Sequence, residues 1–178
     1  RIVASRMGVR NLSMQLGGLD GLSAVSDGEP VEVGGETISF METRMLHWPD
    51  SMFSYLPSRR ILVSQDAFGM HLATPETAAH RIDAAILREE AGRYYANILL
   101  PYSQLVTKLL GKVSAMNLGI DIIAPDHGPA WFAGTESGPG FITGLYARWA
   151  AQEPTLRAVV AYDTMWGSTE IMARAIAE

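Results

Sequence analysis

Cysteine is missing from the 178 residues of this chain. The absence excludes disulfides, zinc sites built on thiolates and iron–sulfur clusters held by the chain itself. Any metal must therefore be bound through histidine and carboxylate side chains. A chain without cysteine is also typical of a reducing compartment, so we expect a cytoplasmic location.

Positive charge and long apolar runs are scarce as well. The chain has 14 Lys and Arg against 19 Asp and Glu, a formal net charge of −5, and no dense basic cluster. This distribution predicts that nucleic acid is not a partner. Since no apolar run is long enough to span a bilayer and no signal peptide opens the chain, we expect no membrane association. The chain opens at Arg1 inside an apparent strand and stops at Glu178 inside a helical pattern, so we expect both ends to be cut from a longer protein.

Hydrophobic residues make up 48% of the chain, which is enough for one good core. Turn signals and alternating polarity predict a β-meander over residues 1–40, beginning with a strand at 1–5. The boundary between two domains is placed at Glu153, where Gln-Glu-Pro interrupts the helical pattern. We predict further strands at 61–64, 120–124 and 157–162, and helices at 74–97 (with Thr74 as N-cap), from about 101 to 117, at 141–151 and from about 168.

Three side chains that can bind metal follow predicted strands. His47 comes after the strand at 37–41, Asp66 after 61–64, and His127 after 120–124. Functional residues of layered α/β folds collect at such strand ends, so these three are candidates to converge. Imidazole and carboxylate together suit iron, zinc or manganese, and a carboxylate can bridge two ions. Ordinary polar loop residues remain the alternative.

A second candidate site lies near the end of the chain. The predicted strand at 157–162 leads into a loop with hydroxyls and a glycine, and then into a helix that opens with Ser168 and Thr169. A helix N-terminus of this kind presents N–H groups to a phosphate. No lysine precedes Ser168, as a Walker loop would require, and the three-glycine dinucleotide spacing is missing. An ordinary capped helix after a strand remains the alternative.

Three motifs resemble one family in order and spacing. HWPDSM at 47–52, SQDAFG at 64–69 and PDHGP at 125–129 resemble the metallo-β-lactamase-like domain of flavodiiron proteins, and the loop at 164–169 resembles their flavodoxin-type FMN-phosphate loop. The resemblance implies an α/β fold: residues 1–152 would be the later part of an αββα sandwich, the diiron domain without its N-terminal part. Residues 153–178 would be the first strand and helix of a truncated flavodoxin-like domain.

The resemblance also implies roles for particular residues. His47 would bind one iron, His127 the other, and Asp66 would bridge them. His71 and Tyr95 are candidates for positions just outside the metal ligands. The remaining ligands of the family come from an H-x-E-x-D-H motif, which this chain lacks, so only three ligands are carried over. The residues around the FMN phosphate would be Thr164, Met165, Trp166, Gly167, Ser168 and Thr169.

As a whole protein, the resemblance implies an oxidoreductase that passes electrons from FMN to two non-haem irons, where O2 is reduced to water or NO to N2O. A rubredoxin-like protein or a flavin reductase would donate the electrons, and a head-to-tail homodimer would bring flavin and iron together. The chain by itself is expected to be inactive. Two alternatives stay open: a zinc hydrolase of the metallo-β-lactamase superfamily using His47, Asp66 and His127, or an inactive truncated flavin-binding scaffold.

Overall fold

The computed structural model describes residues 1–18 and 20–178 and contains one six-stranded sheet, one parallel pair of strands and five α-helices. No helix over these residues has the length and apolar character needed to cross a membrane. The strands are β1 (Ile2–Ser5), β2 (Leu22–Val25), β3 (Pro30–Val33), β4 (Glu36–Glu42), β5 (Met52–Leu56), β6 (Ile61–Gln65), β7 (Ile122–Pro125) and β8 (Trp131–Phe132). The helices are α1 (Arg6–Leu16), α2 (Ala84–Tyr94), α3 (Ser103–Ala115), α4 (Pro139–Ala151) and α5 (Ser168–Ala177).

The large sheet runs in the order β3-β4-β5-β6-β7-β8. Neighbouring strands are antiparallel except for β6 and β7, which are parallel. A parallel pair needs a long crossover connection, and α2 and α3 supply it. The carboxyl ends of β6 and β7 consequently meet at one edge of the sheet.

The main core lies between this sheet and helices α2, α3 and α4. Alternate strand residues point to the helices, and Phe53, Leu62 and Ile123 are each about 1% exposed. The register places Leu62 beside Ile123, so their side chains share one face. The helices contribute buried residues to the same cluster, among them Leu87, Leu109 and Ile142.

The N-terminal part differs from the predicted β-meander. The predicted strand at 1–5 is present as β1, but the α1 helix follows it at once, before β2 pairs in parallel with β1. The Ser5 hydroxyl accepts a hydrogen bond from the Gly8 amide and caps the start of α1, and Gly17 ends the helix with a φ of 71°. Capping at both ends stabilises this helix of 11 residues, and the prediction from the turn signals did not take these caps into account.

The predicted helix at 74–97 begins too early. The Thr74 hydroxyl accepts a hydrogen bond from the Glu76 amide, but this closes only a local turn. The α2 helix starts at Ala84, after Asp83, whose carboxylate accepts a hydrogen bond from the Ala85 amide. Asp83 is therefore the N-cap that Thr74 was predicted to be.

The predicted strand at 157–162 is not formed. In the described part of the chain no other strand lies beside this segment, so its backbone has no ladder partner. Leu156 and Val159 are almost fully exposed, and Ala173 is the buried residue of α5. The terminal segment makes no compact sheet of its own.

Candidate metal centre

Three side chains from three loops meet at the carboxyl edge of the sheet. His47 lies between β4 and β5, Asp66 directly follows β6, and His127 follows β7. The Nε2 atom of His47 is 2.9 Å from Oδ2 of Asp66, and Nε2 of His127 is 3.4 Å from Oδ1 of Asp66. Each oxygen of one carboxylate thus faces a different imidazole, and all three side chains are partly buried.

The tautomer of His127 follows from its other ring nitrogen. Nδ1 lies 3.2 Å from the Met70 carbonyl oxygen. A carbonyl oxygen only accepts, so a neutral His127 carries its proton on Nδ1 and directs the lone pair of Nε2 at Asp66. A lone pair and a carboxylate oxygen at this distance repel each other unless a proton or a metal cation lies between them. The donor set therefore fits a cation held between His127 and Asp66.

The two imidazoles do not surround one common point. In the part of the chain that the structure describes, no three His, Asp or Glu side chains are arranged to hold a single metal ion. The contacts of His47 and His127 are instead to opposite oxygens of Asp66. Such an arrangement suits a carboxylate that bridges two ions, with one imidazole for each.

The loop after Asp66 is held in place by buried side chains. The backbone amide of Phe68 donates to the Tyr146 hydroxyl at 3.0 Å, and the Trp131 indole N–H donates to the Phe68 carbonyl at 2.9 Å. Phe68 has a φ of 66°, which is unusual for a residue other than glycine. These two buried partners fix the backbone that positions Asp66.

Replacing Tyr146 with phenylalanine should destabilise the chain by about 1–3 kcal/mol, because the buried Phe68 amide would lose its acceptor. The free energy of unfolding in urea measures the effect. The matched control is Tyr162→Phe, which removes an exposed hydroxyl and should leave stability unchanged. Equal stability of the Tyr146 variant and the control would show that the clamp on Phe68 is energetically unimportant.

Gly69 lies tightly against the loop that carries His127. A Cβ atom added at Gly69 would lie 2.6 Å from the His127 carbonyl oxygen and 3.0 Å from ring atoms Nδ1 and Cε1 of His127. Real Cβ atoms do not come so near to backbone, so only glycine fits here. This contact holds the His127 backbone against the Asp66 loop.

The loop before α5 is closed by its own residues. The Gly167 amide donates to the Thr164 hydroxyl at 2.8 Å, and the Thr164 amide donates to Asp163 at 2.8 Å. Gly167 has a φ of 81° and directly precedes the first residue of α5. Trp166 is 89% exposed. The turn and the helix start that the sequence indicated are present, although the strand before them is not.

Comparisons with known proteins agree on one family. No family model matches the chain. It is 47% identical over 152 residues to the nitric oxide reductase of Moorella thermoacetica, covering 85% of this chain and 37% of that protein. The rubredoxin oxygen:oxidoreductase of Desulfovibrio gigas matches the fold with a TM-score of 0.90 at 35% identity, over 99% of this chain and 44% of that one. The flavodiiron protein of Giardia intestinalis matches with a TM-score of 0.83 at 31% identity, over 98% of this chain and 42% of that one.

This chain belongs to the flavodiiron proteins. The recognition made from the HWPDSM, SQDAFG and PDHGP motifs is confirmed. The chain spans about a third of the length of its curated relatives, between 32% and 37%. Its mixed α/β fold of sheet and helices is that of the flavodiiron structures it matches.

Two aromatic rings lie beside His127 in this flavodiiron chain. The ring centroid of His71 is 5.2 Å from that of His127, and the ring centroid of Tyr94 is 5.1 Å from it. Tyr94 is buried, and among the described residues its hydroxyl has no hydrogen-bond partner. Burial raises the pKa of Tyr94, and the negative charge of Asp66 raises it further. The phenol therefore stays protonated at neutral pH and keeps a hydrogen to donate.

Tyr95, the predicted neighbour of the metal site, lies elsewhere. Its hydroxyl is 3.0 Å from the Ser103 hydroxyl, and its ring packs edge-on against Tyr146 in the core. Successive residues of a helix point about 100° apart, so Tyr94 and Tyr95 cannot face the same site. The structure therefore places Tyr94, and not Tyr95, beside His127.

An open cleft of about 610 Å³ reaches Asp66. Its lining includes Asn11 and Gln15 of the unpredicted helix α1 and the carboxylate residues Asp50, Asp66 and Asp126. The cleft is polar and acidic, which suits a site that binds cations. The part of the lining that α1 contributes could not be predicted from the sequence without recognising that helix.

Proposed function

We propose that this chain contributes to a diiron centre in which His47 binds one iron, His127 binds the other, and Asp66 bridges the two. The observation that carries the proposal is the arrangement of Asp66, whose two oxygens face the Nε2 atoms of two different histidines. The His127 tautomer set by the Met70 carbonyl supports it, because that tautomer leaves Nε2 free to bind a cation.

We propose further that the intact protein is an oxidoreductase that reduces O2 to water, NO to N2O, or both. Support comes from relatives that are named nitric oxide reductase and rubredoxin oxygen:oxidoreductase. When bound, two irons and FMN supply the electrons for either reduction. Tyr94, whose hydroxyl has no partner among the described residues, lies beside His127, and so does His71.

The domain arrangement is part of the same proposal. Residues 1–152 form the later part of a metallo-β-lactamase-like αββα sandwich, and residues 153–178 begin a flavodoxin-like domain. The helices α2 to α4 on one face of the sheet support the first assignment. The closed turn between Thr164 and Gly167 supports the second. The FMN phosphate is bound at Thr164, Met165, Trp166, Gly167, Ser168 and Thr169.

The partners follow from the names of the relatives and from the family. A rubredoxin-like protein or a flavin reductase donates the electrons, consistent with the name of the Desulfovibrio gigas enzyme. The working unit is a head-to-tail homodimer in the cytoplasm. The 178-residue chain alone is inactive, because it holds three of the iron ligands.

A zinc hydrolase built on the same three residues is not favoured. The matched relatives are named as reductases of NO or O2. An inactive truncated flavin-binding scaffold is likewise not favoured, because the matched relatives are named as enzymes.

The full-length protein, purified without oxygen, tests the function through its iron, zinc and flavin contents and its rates of O2 and NO consumption. We expect about two irons and one FMN per subunit, with O2, NO or both consumed at the expense of a reduced donor. Zinc without flavin, together with a hydrolytic activity, would establish the hydrolase instead. A protein with neither metal nor flavin would support the alternative of an inactive scaffold.

A further inference from the structure

Gln65 occupies an irregular position at the end of β6. The pairing of β5 with β6 places Ser54 opposite Val63, and extending that register places Met52 opposite Gln65. Gln65 has a φ of 50°, and the pairing of β6 with β5 stops at Val63, whereas the pairing with β7 resumes between Gln65 and Pro125 after an irregularity. The Met52 amide donates instead to the side-chain Oε1 of Gln65, at 2.8 Å. The Gln65 side chain thus gives the Met52 amide an acceptor beyond the last pair of β5 with β6.

The backbone of Gln65 connects to a second loop. Its carbonyl oxygen accepts a hydrogen bond from the Asp126 amide at 2.8 Å, and Asp126 directly precedes His127. Asp66 is the next residue along the chain from Gln65. One residue is therefore bonded to the loop of His127 and covalently joined to Asp66.

The connection to His47 passes through Met52. The His47 loop, residues 43–51, is closed by the Thr43 amide bonding to the Ser51 carbonyl at 2.9 Å. The Trp48 amide donates to the Ser51 hydroxyl at 3.1 Å, which makes the loop one hydrogen-bonded unit. Met52 follows this unit directly, so a shift of the Met52 backbone moves the loop that carries His47.

We propose that Gln65 is a positioning residue that fixes the His47 loop relative to Asp66 through its bond to the Met52 amide. Its bond to Asp126 does the same for the His127 loop, through the backbone. The consequence for iron rests on the proposed function, whereas the coupling of the loops does not. Of the two connections, only the one to Met52 depends on the identity of the side chain, and substitution can test it.

Three substitutions of Gln65 in the full-length protein distinguish the effects of side-chain length, of the hydrogen-bond acceptor and of the preference for a positive φ. Gln65→Met keeps the length and removes the acceptor. Gln65→Asn keeps the amide and suits a positive φ, but it is one methylene too short to reach Met52. Gln65→Glu keeps both the length and an acceptor oxygen. We therefore expect loss of the bond in the first two variants and rescue in the third.

The primary measurement is amide hydrogen exchange at Met52, with Leu62 in the centre of the sheet as the internal reference. Met52 should exchange about 10-fold faster in the Met and Asn variants, at the rate of the native protein in the Glu variant, and Leu62 should not change. The ring resonances of His47, observed in histidine-labelled protein, should shift in the Met variant while those of His80 stay in place. Iron should bind about 10-fold more weakly to the Met variant.

Unchanged exchange at Met52 in the Met variant, or equal acceleration at Leu62, would overturn the inference. So would faster exchange with no shift of the His47 resonances, because the loop would then not follow Met52. If the unsubstituted protein binds no iron while the Met52 and His47 changes appear as expected, the coupling stands and the proposed diiron function fails. Failure of one is thus distinguishable from failure of the other.

Discussion

Replacing Asp66 with asparagine in the full-length protein should reduce iron content and the consumption of O2 and NO together, by more than about 100-fold in activity. The substitution removes the negative charge and leaves one carbonyl oxygen where two anionic oxygens face the two histidines. An amide cannot neutralise two cations or bridge them equally. FMN content should not change, because the loop at 164–169 is built from other residues. Iron and flavin per subunit and gas consumption are measured on the same preparation.

The matched control is Asp126→Asn. Asp126 lines the same acidic cleft. Its hydrogen bond to Gln65 is made by the backbone amide, so the substitution does not remove that bond. Removing the charge there should leave iron content and activity close to those of the native protein. Full activity and unchanged iron in the Asp66 variant would eliminate the bridging role. Loss of a hydrolytic activity in place of gas reduction would favour zinc chemistry.

Replacing Gly69 with alanine should destabilise the chain and weaken iron binding, although it adds a single methyl group. The new Cβ would lie 2.6 Å from the His127 carbonyl oxygen, which is backbone and cannot rotate away. Relief requires the two loops to separate, at a cost of about 1–3 kcal/mol. The separation would also draw His127 from Asp66. Thermal unfolding of the chain and iron binding by the full-length protein should therefore both deteriorate.

Gly111→Ala is the control for that experiment. Gly111 lies within α3, and a Cβ at this position would meet no atom within 4 Å. Alanine in an exposed helix interior should stabilise the chain by roughly 0.5–1 kcal/mol. Both substitutions replace glycine with alanine, but the change at Gly69 should lower the stability of the chain and the change at Gly111 should raise it. A Gly69 variant as stable as the Gly111 variant would show that the close approach is not a constraint.

The candidate site was largely predictable because it depends on strand ends. His47, Asp66 and His127 each follow an apolar run that the sequence identifies, and the parallel pairing of β6 and β7 brings Asp66 and His127 to one edge. The direction of a helical side chain was harder to predict. Tyr94 and Tyr95 lie three and four residues after Ala91, one on each side of its position, and only the packing of α2 decides which of the two lies beside His127.

The errors in the fold have different physical causes. The α1 helix has caps at Ser5 and Gly17 and only Gly8 among its residues is buried, so it was missed when residues 1–40 were interpreted from their turn signals. The segment at 157–162 has the composition of a buried strand, but a strand is defined by its neighbour. The sequence of residues 157–162 alone does not show whether a neighbouring strand is present among the described residues.

The parallel pairing of β6 and β7 has a consequence for the order in which the centre assembles during folding. His47 and Asp66 are joined by the β5–β6 hairpin, whose contacts are local and close quickly. His127 arrives only when β7 pairs with β6, after the chain has passed through α2 and α3, and the closure of so long a loop is slow. The contact between His47 and Asp66 therefore forms early, and the contact between Asp66 and His127 forms late. We expect metal to enter a nearly folded chain, not to act as a template for its collapse.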